Sequence, residues 1–339
     1  MQLRVFGRTG MQVSVLGFGC GFVGGLMVQG STSEQDAAVG MCADLGITYF
    51  DTAPHYGSGR SEEHLGRALA RSRLRAVVGT KVMVPIASGA HISDSIRTSV
   101  EDSLRRLKVE RIDLLQVHNG VSSAPTGNGL TPERILEEVV PELKSLQAAG
   151  KIGFIGMSGL GQSPAISRLI ESGKFDTAQL IVNLLNPSAA APVPSGFGAQ
   201  NYNQVLASAE KKNMGTIGIR ALAGGALTGT TDRHPVSLAK VDPIGSGASY
   251  SADVYLGQMF ETLVSEDRAE SLTDLAIRYS MSFPFSTIVL GFSSLEQVKN
   301  AAKSAERGRL DADTLARIAA IQSALFRAEQ PPASQAQST

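Results

Sequence analysis

Eight short apolar runs, most of them dense in Val and Ile, recur along this chain with longer stretches of helical spacing between them. The runs are VSVLGFG (13 to 19), ITYFD (47 to 51), AVVGTKV (76 to 82), IDLLQVH (112 to 118), IGFIGMS (152 to 158), TAQLIVN (177 to 183), GTIGIRA (215 to 221) and STIVLGF (286 to 292). Strands that are apolar throughout belong to a parallel sheet covered on both faces by crossover helices. Eight such units predict an α/β fold, a closed (β/α)8 TIM barrel, and the strand count ranks it ahead of a doubly wound open sheet.

The intervening stretches carry helix starts. Ser33 precedes Glu34 and Asp36, Ser61 precedes Glu62 and Glu63, and Thr131 precedes Pro132 and Glu133, each joining a capping side chain to acids or proline in the first turn. After Ser61, the residues Leu65, Ala68 and Leu69 share one face. LRVFGRTGMQV at the start reads as a hairpin around Arg8, Thr9 and Gly10 that plugs the bottom of the barrel. The Gly- and Pro-rich stretch from 222 to 268 exceeds a plain connection and is expected to form a substrate or cofactor loop at the C-terminal face. Residues 1 to 328 are expected to form one barrel domain, and EQPPASQAQST (329 to 339) a disordered polar tail.

Composition narrows the partners. With 42% hydrophobic residues among 339, the chain has ample core. Its 31 Lys and Arg balance 31 Asp and Glu, and no basic face stands out to hold a nucleic acid. Cys20 and Cys42 lie in apolar sequence with neither a CxxC nor His neighbours, so they read as reduced core residues, with no zinc site or disulfide frame. No basic segment leads into a long apolar one and no run is long enough to cross a bilayer, so the expected location is cytoplasmic.

In a barrel of this kind the working groups sit at the C-terminal ends of the strands. Reading those ends gives Asp51 after the second run, Lys81 near the end of the third and His118 at the end of the fourth, with Tyr56 on the loop after Asp51. Singly, each has an ordinary explanation: a turn cap, a packed ring, a lysine reaching for water, a hydrogen-bonded histidine. Together they form a proton-transfer site. A phenol of pKa near 10 is a poor acid or base at neutral pH, but an adjacent ammonium lowers that pKa. Lys81 supplies the ammonium, Asp51 its counter-charge, and His118 a hydrogen bond that orients a substrate carbonyl toward Tyr56.

The order D-T-A-x-x-Y-G, S-E-x-x-L-G-x-A-L, VVGTK, DLLQVH and GKIGFIGMS resembles the aldo-keto reductase family, in its aldose and pyridoxal dehydrogenase-like branch, over nearly the whole chain. The resemblance implies a (β/α)8 barrel that uses NADP(H) or NAD(H) to interconvert a carbonyl (aldehyde, ketone or sugar) and its alcohol. It makes Tyr56 the general acid and base, tuned by Lys81 and Asp51, with His118 orienting the carbonyl. The cofactor supplies the hydride, and the protein supplies placement and electrostatics.

The resemblance also implies the cofactor contacts. Ser158 and Gln179 match the pair that holds the nicotinamide carboxamide, while Gly159 stands where the family has Asn. Arg220 takes the place of an aromatic ring over the nicotinamide. ALAGGALTG (221 to 229), with Ala221, Leu222, Gly224, Gly225 and Leu227, resembles the pyrophosphate loop. VLGFSSLEQVKN (289 to 300) resembles the adenosine-phosphate clasp, with Gly291, Ser293, Ser294, Glu296, Gln297 and Asn300. No Arg lies near Ser293 to grip a 2′-phosphate, which leaves NAD(H) open beside NADP(H). GFGCGFVGG (17 to 25) imitates a dinucleotide fingerprint, but no helix start follows it until Ser33, so these glycines belong to the end of a first barrel strand.

Phe22, His55 and Asn119 are expected to line the substrate pocket, together with the loops 119 to 131 and 222 to 258. Two other functions compete. Some barrels of the family serve as cofactor-sensing subunits of potassium channels, although nothing in this chain announces a membrane partner. A hydrolase requires two carboxylates across the pocket, and only Asp51 qualifies.

Overall fold

The computed structural model describes residues 1–86, 91–124, 129–244 and 248–328. Eight parallel strands close into a barrel: β1 (Leu16–Gly19), β2 (Tyr49–Asp51), β3 (Val77–Val82), β4 (Ile112–Val117), β5 (Ile152–Ser158), β6 (Thr177–Ile181), β7 (Gly215–Ile219) and β8 (Thr287–Gly291). Neighbours in sequence are neighbours in space, and β8 pairs with β1 to complete the ring. All eight expected strands are present. The first run divides, however: Gln12–Ser14 leaves the barrel to pair antiparallel with Leu3–Val5, and only Leu16–Gly19 enters it.

That antiparallel pair is the expected hairpin, turning through a short helical turn at Gly7–Thr9. Phe6 and Val13 are buried in one apolar cluster with Tyr49, Leu114 and Ile217, which stoppers the N-terminal end of the barrel. Gly7 is required there, because a side-chain carbon would fall 2.3 Å from the Gly215 nitrogen and the residue has φ +52°.

Two helix starts differ from their sequence signals. Thr32–Leu45 is capped by Ser31, not Ser33, in a reciprocal box with Glu34. Arg60–Arg71 begins at a left-handed Gly59, and Ser61 lies inside it with its hydroxyl donating to the Cys20 carbonyl at 2.9 Å and paired with Thr52 Oγ1 at 2.8 Å. A buried hydroxyl with those partners ties the loop after β2 to the end of β1, a tertiary role that overrides capping. Thr131 does cap its helix, with Pro132 at the first position. Cys20 and Cys42 are buried and free.

The long stretch after β7 holds the turn Ala223–Thr228 and the helices Tyr250–Gln258 and Glu261–Ser265, packed in a second apolar cluster with Leu184, Leu185 and Leu275. Part of it crosses to the loop after β1. The Leu238 amide donates to the Phe22 carbonyl at 3.1 Å, and Arg233 donates to the carbonyls of Gly224 (2.9 Å) and Val23 (3.2 Å). Gly25, at φ +87°, permits the crossing, since a Cβ there would lie 1.7 Å from the Val236 oxygen. The tail expected to be disordered, 329 to 339, lies outside the described residues. No helix among the described residues is long and apolar enough to cross a membrane.

Candidate active site

Asp51 ends β2 with its carboxylate turned into the barrel and 5% exposed. Four donors meet it. The Lys81 ammonium donates to Oδ1, while Oδ2 accepts from Gln179 Nε2 (2.7 Å), Gln116 Nε2 (3.0 Å) and the Tyr49 hydroxyl (3.3 Å). Lys81 reaches in from β3, 1% exposed, and also donates to the Thr52 carbonyl (2.8 Å) and the Tyr56 hydroxyl (3.3 Å). All three ammonium protons therefore have acceptors, which is the condition for burying a lysine in its charged form. Gly79 makes room for this arrangement, since a Cβ at that position would stand 2.6 Å from the Tyr49 oxygen.

Tyr56 is held by a tight loop. Its amide donates to the Ala53 carbonyl at 3.1 Å, its carbonyl accepts from Ser61 at 3.2 Å, and Gly57, Ser58 and Gly59 turn the chain with positive φ. The Lys81 nitrogen also lies 4.8 Å from the centre of the Tyr56 ring. His118, following β4, meets that ring edge-on at 6.0 Å between centroids. Asp51, Lys81, Tyr56 and His118 thus come together as the strand ends predict.

The electrostatics differ in one respect from expectation. Burial raises the Tyr56 pKa above its ordinary value, outweighing the downward pull of Lys81, while the Asp51 carboxylate raises it further. Without a further positive charge Tyr56 is therefore a firm phenol, suited to giving a proton. Burial pulls Lys81 down, but Asp51 and Tyr56 outweigh it and leave its pKa raised. His118 is lowered to about 3, chiefly by burial and then by Lys81 and His55, so the ring is neutral at physiological pH. Its Nδ1 is buried with no partner. An orphan acceptor is tolerated better than an orphan donor, so the single proton belongs on Nε2, where it can be donated.

Phe22 packs edge-on against Tyr56 at 5.7 Å and keeps 38% of its surface exposed, and His55 is exposed with its ring 6.1 Å from that of His118. The two thus flank the rings of Tyr56 and His118. Asn119 does not join them. It is 1% exposed and grips the main chain of Val84, accepting from its amide at 2.8 Å and donating to its carbonyl at 2.9 Å, which fixes the chain after β3. A depression lined by Asp267, Arg268, Glu270, Arg278 and Arg307 shares no residue with this cluster, and its arginines are paired with Asp274, Glu270 and Asp313.

Residues 15–323 match the Aldo/keto reductase family. The chain belongs to that family. It is 28% identical over 336 residues to L-galactose dehydrogenase of Arabidopsis thaliana, covering 95% of this chain and 94% of that one. It is 29% identical to D-threo-aldose 1-dehydrogenase of a Pseudomonas species over 59% of this chain and 66% of that one. Among solved structures, the glycerol dehydrogenase of Gluconobacter oxydans superimposes with a TM-score of 0.70 at 26% identity, covering 99% of this chain and 98% of that one. As a member of the aldo/keto reductases, this protein is an oxidoreductase of carbonyls and alcohols.

The positions expected from the sequence to contact a cofactor divide into two groups. At one end, Ser158 and Gln179 lie side by side on β5 and β6, with the Ser158 hydroxyl donating to Gln179 Oε1 at 3.5 Å. Gly159 has a steric reason to depart from Asn. Its amide donates to the Gln179 carbonyl at 2.7 Å, and a Cβ would sit 2.5 Å from that oxygen and 2.8 Å from Leu180 Cδ2. Gly159→Asn is accordingly expected to lower stability by about 1–3 kcal/mol in urea unfolding, and not to improve cofactor affinity. Arg220 follows β7 with φ +60°, exposed yet crowded by protein, with its pKa lowered by desolvation against the opposing influence of Tyr202 and Tyr56. In the loop that follows, Ala223, Gly224 and Gly225 all have positive φ, and the amides of Ala223 and Gly225 donate to the carbonyls of Arg220 and Leu222, each at 2.8 Å, which closes the loop as a tight turn. Ala221 and Leu227 are buried beneath it and Leu222 is partly so.

At the other end the expected clasp is closed on itself. The Ser293 hydroxyl donates to the Gly24 carbonyl at 2.6 Å and its amide to Gln297 Oε1 at 2.7 Å, so neither is free to grip a phosphate. Ser294 caps the helix Leu295–Arg307 through the Gln297 amide, whereas Gly291, Glu296, Lys299 and Asn300 are exposed. The glycine run 17 to 25 serves packing: a Cβ on Gly24 would fall 2.3 Å from the Phe292 nitrogen.

Proposed function

We propose that this protein is an NAD(P)-dependent reductase and dehydrogenase, in which Tyr56 transfers the proton that accompanies hydride transfer between a carbonyl and its alcohol. The convergence of Tyr56, Lys81 and Asp51, joined by a neutral His118, carries the reading. A bound nicotinamide would give hydride to a carbonyl carbon or take it from a carbinol carbon. His118 Nε2–H donates to the carbonyl oxygen and turns it toward the Tyr56 hydroxyl. As negative charge grows on that oxygen, Tyr56 passes its proton to it, and the resulting phenolate is held by the Lys81 ammonium. Asp51 keeps Lys81 charged and aimed, and Lys81's contact with the Thr52 carbonyl prevents it from leaving. In oxidation the same groups work in reverse.

Ser158 and Gln179, side by side on β5 and β6, are the groups assigned to the carboxamide of such a cofactor, and the loop 221 to 229 is assigned to its pyrophosphate. The closed hydroxyl of Ser293 offers nothing to a 2′-phosphate. NAD(H) is therefore expected to bind at least as tightly as NADP(H), in contrast to an enzyme with a guanidinium at that position. The relatives named as dehydrogenases of L-galactose and D-threo-aldose direct attention to sugars as substrates. A screen of NADH and NADPH against aldehydes, ketones and sugars, with the matching alcohols in the reverse direction, tests the proposal. Turnover with at least one nucleotide is expected, and binding of neither would sink it.

A further inference from the structure

Gln116 lies on β4, two residues before His118, and is wholly buried. Its side chain enters the barrel beside Lys81, with which it is in register, and its amide nitrogen donates to Asp51 Oδ2 at 3.0 Å. The amide can face only this way. The carboxylate takes hydrogen bonds from every group around it, and the opposite orientation would set the Gln116 oxygen against it. The orientation has a cost: Gln116 Oε1 is left buried without a partner. A glutamine that forgoes a hydrogen bond on one side in order to make one to a buried carboxylate is not filling space. Tyr49 donates to the same carboxylate oxygen at 3.3 Å from the strand that carries Asp51.

We propose that Gln116, resting on the function given above, is a positioning residue that acts on Tyr56 through Asp51 and Lys81. Each neutral donor on Oδ2 draws charge off the carboxylate, leaving a weaker negative field at the phenol. The groups facing Tyr56 are Asp51 and Tyr49 of β2, His55 beside it, Lys81 of β3, His118 after β4, Cys20 after β1 and Arg220 after β7. Of these, Asp51 is the negative charge that opposes Tyr56 ionisation, and Gln116 touches it directly. Removing the Gln116 donor concentrates charge on Asp51 and makes the Tyr56 phenolate harder to form.

The test uses Gln116→Met, which keeps length and volume, and Tyr49→Phe, which removes the weaker donor alone. Tyr56 is titrated by ultraviolet difference spectroscopy in the protein without nucleotide and again with saturating oxidised cofactor, with Tyr56→Phe as the blank, and the pH profile of alcohol oxidation is recorded in parallel. Gln116→Met is expected to move the Tyr56 titration and the limb of the profile upward by about half a unit to one unit. Tyr49→Phe is expected to move both in the same direction by less. A limb that stays in place or moves down in both variants, with only its height reduced, overturns the proposal and leaves Gln116 a packing residue. The optical titration needs no turnover, so absence of activity in the unaltered protein counts against the reductase reading and not against this one.

Discussion

Tyr56→Phe is expected to lower kcat for carbonyl reduction by about 10²- to 10⁴-fold while leaving nucleotide affinity within about twofold. The variant retains the ring that packs against Phe22 and His118 and removes only the hydroxyl that Lys81 contacts at 3.3 Å. Fold and pocket shape should therefore survive, and the loss should fall on the proton-transfer step. Nucleotide affinity is read by equilibrium titration and kcat by steady-state reduction; turnover that persists near its original level would remove Tyr56 from the chemistry. The pH dependence follows in sign. A phenol whose pKa is raised by burial stays protonated through the neutral range, so proton donation in reduction does not fade until the medium is alkaline. His118, titrating near about 3, adds no limb between pH 5 and 8.

The second large effect concerns stability. Asp51→Ala is expected to destabilise the protein by about 3–5 kcal/mol in urea unfolding and to abolish most turnover, because it leaves the Lys81 charge in the barrel without its counter-ion. Lys81 is 1% exposed, and burial alone pulls its pKa down. With Asp51 gone, that pull has less opposing it, and the group that steadies the Tyr56 phenolate is weakened. Adding Lys81→Met to Asp51→Ala removes the stranded charge. The double variant should recover part of the stability but none of the activity, which separates the structural consequence of the pair from its role at Tyr56. A double variant no more stable than Asp51→Ala would show that the loss lies in packing and not in the uncompensated charge.

Much of the barrel was legible in the linear sequence for a simple reason. Strands covered on both faces must be apolar along their whole length, so TAQLIVN and STIVLGF announce themselves as buried strands without alternation. Asp51, Lys81 and His118 were legible because a charge at the end of such a run has to be reconciled with burial, and a parallel barrel brings all the run ends to one rim. Other features were not. Gln116 and Tyr49 read as ordinary members of their strands; that they point inward at Asp51 depends on the register between β2, β3 and β4. Asn119 and Ser293 have the polar side chains expected of contact residues, but backbone carbonyls of distant segments take them first, Val84 in one case and Gly24 in the other.

The division has a physical basis. By itself, the sequence determined the number of strands, the rim on which the chemistry sits, and the four groups that meet there, since each follows from hydrophobic period and chain order. The balance of forces among those groups was decided by the tertiary structure alone. Whether a phenol rises or falls in pKa depends on how far burial outweighs one ammonium at 3.3 Å, and whether a hydroxyl is free depends on which carbonyl comes within reach. Both are matters of distance between residues far apart in the chain, which local sequence does not encode.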